Sequence, residues 1–139
     1  MSMDLIVVTP EGESFSEPVE RVVLPGAEGD FGVLESHEKF LAPLKPGPME
    51  ITLPGGQIEW AAIAGGFAEV TGNQVVVLVD ECFKAHEIDI AHAQHTKAEA
   101  ESELKALLED INEEDRRAAL EDAVVRAGVQ IEVHGRSHA

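Results

Sequence analysis

Tyrosine is absent from this 139-residue chain, and Trp60 is its only tryptophan, so aromatic anchors are few. Cysteine also occurs once, at Cys82, which excludes an intramolecular disulfide and is compatible with a reducing compartment. Positive charge is scarce: 10 Lys and Arg face 27 Asp and Glu, a formal net charge of −17. Residues 1–86 hold 14 acidic and 4 basic side chains, and residues 87–139 hold 13 and 6, so the excess covers the whole chain. Such a field repels nucleic acid and anionic lipid headgroups while favouring solubility and basic protein partners. No window approaches the ~20 apolar residues a bilayer span requires, so membrane association is expected only through another protein. The start, Met1-Ser2-Met3-Asp4, has the pattern of neither a secretory signal nor an Arg-rich transit peptide.

What the chain does have is a dense alternation of short apolar runs and turn residues over residues 1–86. Strands are expected at Leu5–Thr9, Val19–Leu24, Phe31–Leu34, Phe40–Leu44, Met49–Leu53, Gln57–Ile63, Gly66–Thr71 and Gln74–Asp80. Pro54-Gly55-Gly56 and Gly72-Asn73 supply the dihedrals of two hairpin turns. The run Gln74–Val79 is apolar without alternation, which predicts a strand buried on both faces. Eight or more strands with no helix between them point to a sandwich.

Within this half, Leu24 to Gly47 concentrates four glycines and three prolines between apolar residues. Pro25-Gly26 reads as a type II turn, since proline presets one central φ and glycine accepts a positive one next. Gly29 and Gly32 then bracket Asp30-Phe31, which places an exposed aromatic ring and two carboxylates, Glu28 and Asp30, on a stiff loop tip. That is the composition of a docking loop. It holds no nucleophile, phosphate cradle or metal-ligand cluster, and His37 has no Ser, Cys or Asp partner nearby in sequence. Ala64-Gly65-Gly66 lacks a following helix, so it reads as a strand edge approached closely by another backbone rather than a phosphate loop.

Near residue 86 the apolar period lengthens from 2 to about 3.6. Asp89 is placed to cap a first helix, whose apolar stripe runs through Ala93, Ala100, Leu104, Leu107 and Ile111. Asn112-Glu113-Glu114-Asp115 ends that helix and starts a second, with its stripe at Leu120, Val124 and Ala127 and a stop at Gly128. The two form an antiparallel hairpin. Its large apolar residues, Leu104, Leu107, Leu108, Ile111, Leu120, Val124 and Val125, are few for its length and most of the rest of the stripe is alanine, so it needs a surface to lie on, and a second surface could compete for it. Beyond Gly128 the alternation of Val129, Ile131 and Val133 reads as an extended arm. The expected organisation is α+β: an all-β sandwich over 1–86, a helical hairpin over 87–128 and an extended tail over 129–139.

Three separated motifs in one register carry a family resemblance: Gly26-x-x-Gly29-Asp30-x-Gly32-Val33-Leu34 with His37, Leu44-Lys45-Pro46-Gly47, and Ala64–Val70 followed by Asn73–Leu78. They resemble the epsilon subunit of F-type ATP synthases, whose mitochondrial counterpart is called delta. The resemblance implies a noncatalytic rotor-stalk subunit that joins the gamma subunit to the membrane c-ring, peripheral to the cytoplasmic face of the bacterial inner membrane. It implies that Glu28, Asp30 and Phe31 touch the c-ring and that His37 touches gamma. Glu35-Ser36-His37-Glu38-Lys39 departs from the residues usual around that histidine. The resemblance further implies a hairpin able to contact the catalytic alpha and beta subunits and hinder hydrolysis, although here the hairpin is net acidic. Some relatives bind ATP where this chain has Ile88, Asp89 and Ala93, with Arg126 facing; His92 replaces an arginine of that pattern, and Glu99 and Asp122 stand where further cations are expected. No cofactor is otherwise implied. The alternative is a free-standing sandwich module that binds a small ligand or metal through Asp89, His92 and His95, which fall near one helix face close to His86.

Overall fold

The computed structural model describes residues 3–34, 39–107 and 113–137. Ten strands occupy the first part: β1 (Met3–Thr9), β2 (Gly12–Val19), β3 (Arg21–Gly26), β4 (Gly29–Leu34), β5 (Phe40–Leu44), β6 (Gly47–Thr52), β7 (Ile58–Ile63), β8 (Gly66–Thr71), β9 (Gln74–Val79) and β10 (Cys82–Lys84). A 3₁₀ turn at Ala85–Glu87 leads into α1 (Ile90–Leu107) and α2 (Glu114–Ser137). The hydrogen-bonded path runs β10-β7-β6-β3-β5-β8-β9-β1-β2, with β4 also paired to β3. β3 and β5 meet at the single pair Gly26–Leu44, and this is where the path folds over into two layers. Alternate residues of both layers point inward. Leu5, Val7, Val22, Leu24, Met49, Ile51, Val75 and Val77 fill one shared core.

β2 and β10 were not expected from the sequence. β2 is an edge strand that contains Pro18 and buries only Phe15 and Val19, so its apolar signal is weak and its proline is tolerated. β10 has three residues, too few for a period. The run in β9 is also not buried twice over. Val75, Val77 and Val79 are buried, but Val76 is only half-buried and Leu78 is half exposed, because none of the described elements covers the outer face of this layer.

Turn chemistry fell where expected in one hairpin and not in others. Gly55 and Gly56 both take positive φ between β6 and β7, closed by Leu53 N–H donating to Gln57 O at 2.8 Å. Gly72 is not among the glycines with positive φ, so the Gly72-Asn73 loop needs no special dihedral there. Pro25 and Gly26 belong to β3 rather than to a turn. The loop is Ala27-Glu28, and Gly29 supplies the positive φ of 137°.

α1 starts as expected: the Asp89 carboxylate accepts from the His92 N–H at 3.0 Å. At its other end, the Arg117 guanidinium donates to the Leu107 carbonyl at 2.5 Å, satisfying one free carbonyl of the last turn. Leu108, Ile111 and Asn112 lie outside the described residues. The extended arm expected after Gly128 is instead helix: α2 continues to Ser137. Val129 and Val133, four apart, are buried against Ala62, Ala85 and Ile88, with Trp60 and Phe83 alongside. A helical period of four and a strand period of two both place 129 and 133 on one side, and tertiary burial chose the helix. α2 lies against β7 and β6, and α1 packs on α2. The hairpin thus covers the outer face of one layer, and among the described residues no element covers that of the other.

Candidate functional site

The tip of the β3–β4 hairpin is clamped from below. Ala27 N–H donates to Pro43 O and Lys45 N–H donates to Pro25 O, each at 2.9 Å, tying the tip to the end of β5. A Cβ on Gly26 would lie 2.8 Å from the Phe31 ring, and one on Gly47 would lie 2.7 Å from the Pro25 side chain. Both positions therefore need glycine for close approach. Glu28 and Asp30 are exposed at the tip, as expected. Phe31 is not: it is half-buried against the core, with its ring edge-on to Phe40 at 5.7 Å. It stiffens the tip from beneath, and the two carboxylates are what the tip presents to solvent. His37 lies outside the described residues.

A second surface was missed in the sequence. On the uncovered layer, Leu41, Phe67 and Leu78 are 65%, 51% and 50% exposed. The register aligns them: Pro43 pairs Phe67, Phe67 pairs Leu78, and Leu78 pairs Val8 across β5, β8, β9 and β1. Glu69 is the acidic residue among them, opposite Leu41 and Val76. Scattered exposed apolar side chains mean little, but these adjoin on one rigid sheet face and form an exposed apolar patch. The signal was present in Gln74–Val79, apolar on both faces in a strand that the fold buries on one. Gly66 makes this face possible, since a Cβ there would run into the Leu78 backbone.

The third feature is the groove beneath the hairpin, lined by Glu81, Phe83, Glu87, Asp89, His92 and Arg126 among others. It gathers Asp89, Ala93 and Arg126. Ile88 is buried with Val129 and Val133, and Ala93 is buried at the helix contact. The Arg126 guanidinium is already engaged: Nη1 lies 3.1 Å from Glu81, Nη2 3.5 Å from Asp80, and Nε 2.7 Å from Asp122. The Asp122 contact is an ion pair off the N–H axis, since Nε has no aligned acceptor. Burial works against the charge on Arg126, but the bond to Glu81 and the fields of Asp122, Glu81 and Asp80 outweigh it and raise its pKa. A triphosphate needs several free cationic or amide donors. Arg126 is the one Arg or Lys lining this groove among the described residues, and carboxylates surround it, so these residues do not fit ATP.

The metal reading finds no support in the geometry. The Asp89 carboxylate is bonded to the His92 N–H, and His95 Nε2 pairs with Glu99 at 2.9 Å. Among the described residues, no three His, Cys, Asp or Glu side chains come together to hold an ion. No described helix is long and apolar enough to cross a membrane.

Comparison with known proteins agrees with this architecture. Residues 2–85 match the family described as ATP synthase, Delta/Epsilon chain, beta-sandwich domain. The ATP synthase epsilon chain of Nitratidesulfovibrio vulgaris (strain DP4) is 39% identical over 129 residues, covering 93% of this chain and 96% of that protein. The epsilon chain of Syntrophobacter fumaroxidans is 40% identical over 125 residues, covering 90% and 92%. Among solved structures, a chain of the Euglena gracilis mitochondrial ATP synthase OSCP/F1/c-ring assembly superposes with a TM-score of 0.78 at 25% identity, covering 99% of this chain and 82% of that one. A chain of the Tetrahymena thermophila central stalk and c-ring shares the fold at a TM-score of 0.53 and 19% identity, covering 64% and 71%.

Proposed function

This chain belongs to the ATP synthase delta/epsilon family as a noncatalytic subunit, and from that premise we propose that it couples the gamma subunit to the membrane c-ring within the rotor. The observation that carries this reading is one rigid sandwich with two unlike outward surfaces. The apolar face at Leu41, Phe67 and Leu78 is the gamma side, where burial supplies affinity. By family analogy His37 also touches gamma. The clamped tip with Glu28 and Asp30, stiffened by Phe31, is the ring side, where carboxylates complement basic loops and fix register. Torque then passes through a hydrogen-bonded sheet rather than a flexible linker. The ring contact would hold the chain peripherally against a membrane, which in bacteria such as those of its epsilon-chain relatives is the cytoplasmic face of the inner membrane. By family analogy the hairpin regulates hydrolysis by extending alongside gamma toward the alpha and beta subunits.

Pull-down of gamma and ring subunits on the tagged chain tests the assembly. The wild type should retain both, and Phe67→Glu with Leu78→Glu should release gamma by at least about 2 kcal/mol, roughly thirtyfold in affinity. Retention of neither subunit by the wild type would refute the reading. Comparing ATPase rates of the assembled complex with and without residues 88–139 tests regulation, and equal rates would remove that role.

A further inference from the structure

The hairpin and the sandwich are both acidic, yet they dock. Residues 87–139 carry 13 acidic and 6 basic side chains against 14 and 4 in residues 1–86. Long-range repulsion therefore opposes the contact, to an extent set by the ionic strength. At the seam, Asp80 and Glu81 project from the turn between β9 and β10, Asp122 from α2, and Glu87 and Asp89 from the segment entering α1. Arg126 stands in the middle of them, and its guanidinium spans the seam from Asp122 on its own helix to Asp80 and Glu81 on the sandwich.

We propose that Arg126 is a charge latch, the cation at the centre of the acidic seam that lets an acidic hairpin close on an acidic sandwich. The apolar contact around Val129 and Val133 supplies attraction, but it lies further along α2 and is small, with five buried residues. Individual exposed ion pairs contribute little. Here, however, removal of the guanidinium does more than delete three pairs, because it leaves Asp80, Glu81 and Asp122 facing one another across the seam without a counter-charge. Docking should then be governed by screening. It should fail at low salt and recover at high salt, whereas the wild type, which keeps a guanidinium between Asp80, Glu81 and Asp122, stays docked in both. The inference concerns the isolated chain and stands apart from the rotor assignment.

Trp60 supplies a built-in reporter. It is the only tryptophan, it packs against the Val129–Val133 contact, and the Arg136 guanidinium lies over its ring at 4.9 Å. The test measures acrylamide quenching of Trp60 and amide exchange of α2 in the full-length chain. Arg126→Gln should raise Trp60 quenching about twofold and speed α2 exchange roughly tenfold in ~20 mM salt, with strand β9 unchanged, and ~0.5 M NaCl should restore both readouts. Arg126→Lys, which keeps the charge, should remain docked. Adding Glu81→Gln and Asp122→Asn to Arg126→Gln should restore docking at low salt, because Asp80 is then the one carboxylate of the three that remains and none faces it from α2. Unchanged α2 exchange in Arg126→Gln would overturn the latch, as would a loss that neither salt nor the triple variant repairs. Should Arg126→Gln loosen the sandwich itself, the triple variant decides alone: docked supports the latch, undocked overturns it.

Discussion

Val133 is fully buried beneath the helix that carries it, in a cluster with Ala62, Ala85, Ile88 and Val129. Truncation to alanine removes two methyl groups and leaves a void that rigid strands cannot close, a loss of about 2 kcal/mol. That loss should appear locally: α2 amides in Val133→Ala should exchange about thirtyfold faster while those of β1 and β9 keep the wild-type rate. Cys82 makes a second prediction at this scale. Burial raises its pKa above that of an ordinary thiol, with a smaller rise from the Glu87 field, and the bond to Ser14 and the charge of Lys84 offset part of that. A thiol that holds its proton more tightly folded than unfolded adds stability below the unfolded value, and that stability is lost as pH climbs through the folded one. Urea unfolding between pH 8 and pH 10 should therefore show a downward slope in stability that Cys82→Ala reduces. Alkylation of native Cys82 at pH 8.5 should be about tenfold slower than in the urea-unfolded chain.

At the scale of elements, Gly128 separates two readings of one sequence. Read as a helix stop, it should occupy a left-handed conformation; it does not, and a Cβ there would meet nothing within 4 Å. Gly128→Ala should thus stabilise α2 by about 1 kcal/mol, seen as slower α2 exchange and a higher melting temperature. Were Gly128 a true C′ cap, the same substitution would destabilise.

The difference shows what could be read from sequence and why. β5 and β8 were legible to the residue, because alternation and flanking turn residues agreed. The Asp89 cap and the Gly55-Gly56 turn were legible, because each rests on local backbone chemistry. β2, the last turns of α2 and the place of Pro25-Gly26 were not, because long-range packing decided them. For the site, the tip carboxylates Glu28 and Asp30 followed from local composition. The apolar face did not, because Leu41, Phe67 and Leu78 come from three strands that only the sheet brings together.

At the scale of the whole molecule, a net charge of −17 and an apolar face do opposite work. The charge keeps the free chain apart from its copies and from anionic surfaces, and the apolar face supplies one place where a protein partner gains by contact. The stiff acidic tip adds a second contact of different chemistry. The central claim is that these two surfaces grip two different neighbours. Site-directed crosslinking in the assembled complex tests it most directly. In a Cys82→Ala background, Asp30→Cys and Phe67→Cys are each introduced alone, and the crosslinked partner is identified by mass. The account predicts that position 30 joins the ring subunit and position 67 joins gamma; both positions joining one subunit, or neither joining any, would contradict it.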